Sequence, residues 1–142
     1  MAKYKFTLAV ALRDFIEWQI EYYPDNKRQL AMFKESMIPS QISQYGQRTG
    51  GSFDSEKRPT EEITIRRNPT YIMEQERIIN AIESVYDKLS DLDKELIRLR
   101  YWDGKLTPEG IAIKLNLGRT TLYERLNNIL VIIAKRLGYI DL

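Results

Sequence analysis

Apolar residues recur along this chain at intervals of three and four, the spacing of helices that bury one face. Between residues 7 and 23 they fall at Leu8, Leu12, Phe15, Ile16, Ile20 and Tyr23. Tyr23-Pro24-Asp25-Asn26 interrupts the run, and Leu30, Phe33 and Met37 then mark a second helix that ends near Pro39. These two helices predict an antiparallel hairpin over residues 1–38, or a surface that docks elsewhere. From Ser40 to Arg67 the pattern stops. Gln41, Ser43, Gln44, Gly46 and Gln47 lead into Thr49-Gly50-Gly51-Ser52, with few apolar side chains to bury. Such a segment cannot offset its ordering entropy, so residues 39–68 read as a flexible linker. Its Lys57-Arg58 and Arg66-Arg67 pairs are solvated charge or phosphate contacts.

Periodicity resumes after Asn68-Pro69-Thr70. Ile72, Ile79, Ile82, Val85, Tyr86 and Leu89 give the stripe of a long helix. In Ser90-Asp91-Leu92-Asp93 an N-cap residue precedes an acidic third position, which restarts the chain as a new helix. There Leu92, Leu96 and Leu99 share a face, and Asp103-Gly104 closes the element. The predicted fold class is all-α: a C-terminal helical bundle over residues 69–142 with an N-terminal helical extension.

Leu106–Leu126 is the most specific stretch, and two short helices with a tight turn are expected there. Thr107-Pro108 starts the first, because the hydroxyl caps and proline at the first helical position loses no needed donor. Ile111, Ala112 and Leu115 face inward, and Ala112 is small where a crossing helix must come close. Asn116 falls where the turn calls for a left-handed residue. Leu117 plugs the turn, and Gly118 stands in for the usual Ser or Thr cap.

The second helix runs from Arg119 to about Leu137, with Gly138 as its stop. Leu122, Leu126, Ile129, Leu130 and Ile133 bury one side, which leaves Arg119, Thr120, Tyr123, Glu124 and Asn127 outside. A helix-turn-helix reads base edges in the major groove from this position. Arg119 suits a guanine and Glu124 a cytosine amino group. Thr121 and Arg125, with Thr107 and Lys114 from the first helix, suit phosphate. Thr120 and Thr121 equally suit plain capping of the helix start, and Tyr123 suits packing on a neighbour. The Ile129–Ile133 run reads as core or as a partner interface.

Composition narrows the function classes. The 142 residues suit one domain or a small domain with an extension, and 43% apolar content supports an ordinary core. No apolar run approaches the ~20 residues of a membrane span. Met1-Ala2-Lys3-Tyr4-Lys5 lacks the block of a signal peptide, so a cytoplasmic protein is expected. With no cysteine there is no disulfide and no thiolate metal site. With no histidine, the commonest general base and metal ligand are gone too. Asp91 and Asp93 read as helix-start charges rather than a metal pair. No enzyme, metal or cofactor is expected.

The net charge is only +2, but it is unevenly spread. Tyr71–Asp103 holds five Lys/Arg against eight Asp/Glu, whereas Gly104–Arg136 holds six against two. The positive excess therefore sits on the candidate DNA-reading segment.

Leu92-Asp93-Lys94-Glu95-Leu96-Ile97-Arg98-Leu99-Arg100-Tyr101-Trp102-Asp103-Gly104, followed by the two helices, resembles region four of bacterial sigma factors. In that family the module recognises a promoter element and contacts RNA polymerase. Thr121-Leu122-Tyr123-Glu124-Arg125-Leu126 is especially similar to the extracytoplasmic-function type. The likeness covers about Leu89 to Leu137. With the Tyr71–Val85 helix and the N-terminal helices included, the chain resembles the RinA/ArpU-like phage transcriptional regulators. That resemblance implies an activator of phage or prophage late or packaging genes, working with host RNA polymerase on double-stranded DNA in the bacterial nucleoid. Gly110, and Arg125 at a spot apolar in many such motifs, depart from the pattern. A small terminase-like packaging component and a sigma-mimicking polymerase-binding module are the alternatives. Monomer and homodimer both remain open.

Overall fold

The computed structural model describes residues 7–37 and 68–141, and among them every regular element is a helix. In chain order these are α1 (Val10–Glu21), α2 (Tyr23–Met37), α3 (Pro69–Lys88), α4 (Asp91–Ile97), a π-helical turn (Arg98–Asp103), α5 (Pro108–Leu115) and α6 (Arg119–Arg136). The linker expected over 39–68, with its Lys57-Arg58 and Arg66-Arg67 pairs, lies outside the described residues except for Asn68. No helix of the described residues is long and apolar enough to cross a membrane.

Local chemistry sets the boundaries. Asn68 Oδ1 accepts the Thr70 N–H at 2.8 Å, Ser90 Oγ the Asp93 N–H at 3.2 Å and Thr107 Oγ1 the Gly110 N–H at 3.1 Å. Each supplies an acceptor that a helix start lacks. Gly104 (φ 65) ends the π-helical turn in the left-handed region, and two α-helices also close through a left-handed residue. Beyond α5 this is Asn116 (φ 59), and beyond α6 it is Gly138 (φ 82). In both, paired reverse bonds return to the last turn: Leu117 N–H to Ala112 O and Tyr139 N–H to Ala134 O are the outer ones.

Contacts gather the chain into two units, Met1–Tyr23 with Asn80–Leu142, and Pro24–Ile79. In the first, α1 buries Ile16, Gln19 and Ile20 and packs on α6 and the π-helical turn. Ile82, Val85 and Leu89 of α3, Leu96 and Ile97 of α4, Ile111 of α5 and the long apolar face of α6 complete the core. Each fully buried Ile or Leu contributes about 1.5–3 kcal/mol. The Ile129–Ile133 run is part of this core, with Ile129 and Val131 fully enclosed and Ile132 half-buried.

The unit boundary falls at Tyr23–Pro24, between α1 and α2. Within the first unit Ile16 and Ile20 are buried where α1 packs on α6. In the second unit Leu30 and Ile72 are buried, and Lys34 Nζ meets Glu76 Oε2 at 2.8 Å.

The element expected as one helix over Leu92–Gly104 widens into a π-helix from Arg98. There the consecutive residues Tyr101 and Trp102 both reach α1. The Tyr101 hydroxyl donates to Glu17 Oε2 at 2.7 Å, and Trp102 Nε1 donates to the Ile20 carbonyl at 2.8 Å. The latter satisfies one of the carbonyls that a helix end leaves without an intrahelical donor. The rings of Tyr23 and Tyr86 flank the indole at 5.9 and 5.5 Å. Burial, then the Glu17 bond, pushes the Tyr101 phenol well above its ordinary value.

Candidate nucleic-acid interface

α5 and α6 pack on each other across Asn116–Gly118. The bend needs a left-handed residue, and Asn116 adopts φ 59, ψ 45. Its N–H reaches Ile113 O at 3.1 Å while that of Leu117 reaches Ala112 O at 2.8 Å. Ile111 and Ala112 are buried and Leu117 is half-buried, which fixes the turn from beneath. Gly118 is extended and leads directly into α6.

That entry differs from the other helix starts. α4 and α5 are capped by Ser90 and Thr107, whereas no side chain caps α6. Its first-turn N–H groups, at the positive end of the helix dipole, therefore have no side-chain acceptor.

Arg119, Thr120, Thr121, Tyr123 and Glu124 are exposed on the first two turns, while Leu122 and Leu126 are buried. Arg119 Nη2 lies 3.3 Å from Glu109 Oε2, with both side chains largely in solvent. An exposed pair of this kind is worth about 1 kcal/mol or less, so it does not lock the guanidinium. Glu124 and Asn127 each engage a neighbour, and Asn127 is half-buried. The exposed face of α6 is therefore narrower at Asn127 than the helical spacing predicted.

Arg125 takes a role the sequence did not show. Its Nη1 donates to Asp93 Oδ1 at 2.8 Å, and Asp93 is 6% exposed. The ion pair fastens α6 to the first turn of α4. The Arg125 side chain stays 38% exposed, so donors remain for a second acceptor. Thr107 spends its oxygen on the Gly110 cap, yet the residue is exposed. Lys114 is exposed on α5 and lies near Glu95. The Arg98 hydrogen bond holds the Glu95 carboxyl below its usual value, and Lys114 adds to that.

The basic excess of this region is divided by the length of α6. Lys135 and Arg136 stand about 25 Å along the helix from Arg119, at 1.5 Å per residue. Lys105, Lys114, Arg119 and Arg125 remain near the exposed end. Two of these four are paired with acids, so the end is only modestly positive. Ile113, 80% exposed beside Lys114, is an apolar member of the same surface that periodicity had not flagged.

Asp91 and Asp93 sit in the first turn of α4, with Asp93 held by Arg125. Among the described residues no group of three or more His, Cys, Asp or Glu side chains is placed to hold a metal ion.

A family model described as a protein of unknown function (DUF722) matches residues 19–135. The matched span takes in α5, the turn and all of α6 but its last residue. No curated protein and no solved structure matches the chain.

Proposed function

The chain belongs to the DUF722 family, and we propose that it is a sequence-specific DNA-binding transcription regulator. In this reading α5 and α6 form a helix-turn-helix, and α6 enters the major groove by its N-terminal end. The observation that carries it is the uncapped, exposed start of α6, where Arg119, Thr120, Thr121 and Tyr123 stand together beyond an Asn116 turn. Base edges are reached from this part of a recognition helix. Arg119 reads a guanine, Glu124 a cytosine amino group, and Thr120, Tyr123 and Asn127 the neighbouring edges. Thr107, Lys114, Thr121 and the open donors of Arg125 contact phosphate, and the free first-turn N–H groups add to that.

The likeness of Leu89–Leu137 to sigma region four supports a finer assignment. The protein is a RinA/ArpU-like activator of phage or prophage late or packaging genes, acting with host RNA polymerase on the bacterial nucleoid. Purified protein is expected to bind one upstream fragment specifically and to raise transcript from that promoter with host polymerase. Specific binding at a packaging site with no rise in transcript would instead indicate a small terminase-like component. Polymerase binding with no DNA affinity would indicate a sigma-mimicking module.

A further inference from the structure

α1 is apolar on two flanks, and only one of them is used by the core. Ile16, Gln19 and Ile20 face inward, while Ala11, Phe15, Trp18 and Tyr22 form a second stripe at intervals of four, three and four. That is the seam spacing of paired helices. Trp18 is 52% exposed, Tyr22 39% and Phe15 36%. The Trp18 and Tyr22 rings pack on each other with centroids 4.9 Å apart, and Phe15 meets Tyr139 edge-on at 5.9 Å. Rings held by one another lose little freedom when a surface covers them.

The charges beside the stripe are sorted. Around the α1 axis, at 100° per residue, Asp14 and Glu21 border the stripe on its Trp18 side, away from Phe15. Both are exposed, and neither makes an ion pair with another described residue. On the other side Phe15 leads to Tyr139, which follows Lys135 and Arg136 of the last turn of α6. Those two are also exposed and make no ion pair with a described residue. The stripe thus has acidic residues on its Trp18 side and, on its Phe15 side, a ring that follows two exposed basic residues by three and four positions.

We propose that this face binds a second copy of the chain about a twofold axis. An isologous interface must be complementary to itself. Under a twofold the acidic border of one copy meets the basic border of the other, while Trp18 and Tyr22 pack at the centre. A partner of a single charge sign would satisfy one border and oppose the other. The four rings leave on the order of 300 Å² open per copy, below a standard interface of ~800 Å² per partner, so the pairing is weak and concentration-dependent.

Sedimentation equilibrium of the full chain across a wide concentration range tests this. The wild type is expected to pass from monomer to dimer. Trp18→Lys is expected to weaken the pairing by at least ~30-fold, the effect of losing a central aromatic anchor. Tyr22→Lys serves as the second variant, and circular dichroism checks that both stay helical. Asp14→Lys with Glu21→Lys, or Lys135→Glu with Arg136→Glu, is expected to weaken it, and all four changes together to restore it. A chain that stays monomeric throughout, a dimer indifferent to Trp18→Lys and Tyr22→Lys, or a fourfold charge swap without recovery would each overturn the proposal.

Discussion

Over its first two turns α6 encloses Leu122 and leaves Arg119, Thr120, Thr121, Tyr123 and Glu124 in solvent; from Leu126 onward Ile129, Leu130, Val131, Ile133 and Ala134 are all buried. One continuous helix therefore has an anchored half and a presented half. The anchored half draws on apolar burial, which is insensitive to direction and large. The presented half buries little apolar surface and contributes correspondingly little to folding. Fixing one end of a rigid rod in a core is what lets the other end hold a geometry without being packed itself.

Substitutions along the helix break the comparison if the two halves respond alike. Ile129→Ala in the anchored half is expected to cost about 2–5 kcal/mol in urea unfolding, from lost transfer energy and the cavity left behind. At the turn the expected effect is smaller. Asn116→Ala places an ordinary side chain in the left-handed region and costs about 1 kcal/mol, whereas Asn116→Gly is neutral or stabilising. Equal losses for both would mean that the Asn116 side chain, not its backbone, matters.

Remote from both halves, the joint between α1 and the π-helical turn has a pH signature. The Tyr101 phenol is raised above its ordinary value of 10.0, so it stabilises the fold below that pH. As pH rises past 10 the unfolded chain ionises first and that contribution is lost. The stability gap between wild type and Tyr101→Phe is therefore expected to narrow above about pH 10 in denaturant titrations. Smallest of all, Arg119→Ala is expected to shift stability by no more than about 0.5 kcal/mol, because its ion-pair partner among the described residues is an exposed Glu109.

Which of these features the sequence disclosed follows from how far apart their partners lie. The starts at Ser90 and Thr107, the Asn116 turn and the inward face of α6 depend on neighbours within a few residues, and local spacing revealed them. The Arg125–Asp93 pair joins residues 32 apart in the chain, and Tyr101–Glu17 joins residues 84 apart. Nothing in either local pattern names its partner. The π-helical widening escaped because Leu92, Leu96 and Leu99 satisfy an ordinary helical spacing up to the point where it begins. For α1, Trp18 and Tyr22 fall off the Leu12–Ile16–Ile20 stripe, a signal present in the chain that composition alone does not interpret. At the candidate interface, exposure of Arg119, Thr120, Thr121 and Tyr123 was legible from the period of the helix, while the involvement of Asn127 and Arg125 with their neighbours was not.

The central claim is that the presented half of α6 reads duplex DNA, and selection from a random duplex pool tests it most directly. The wild type is expected to enrich one sequence motif, and Arg119→Ala to lose preference at one base pair while retaining the rest, at a cost of about 1–3 kcal/mol for that site. Enrichment of no motif by a folded wild-type protein, or an identical motif and affinity with Arg119→Ala and Tyr123→Ala, would contradict it.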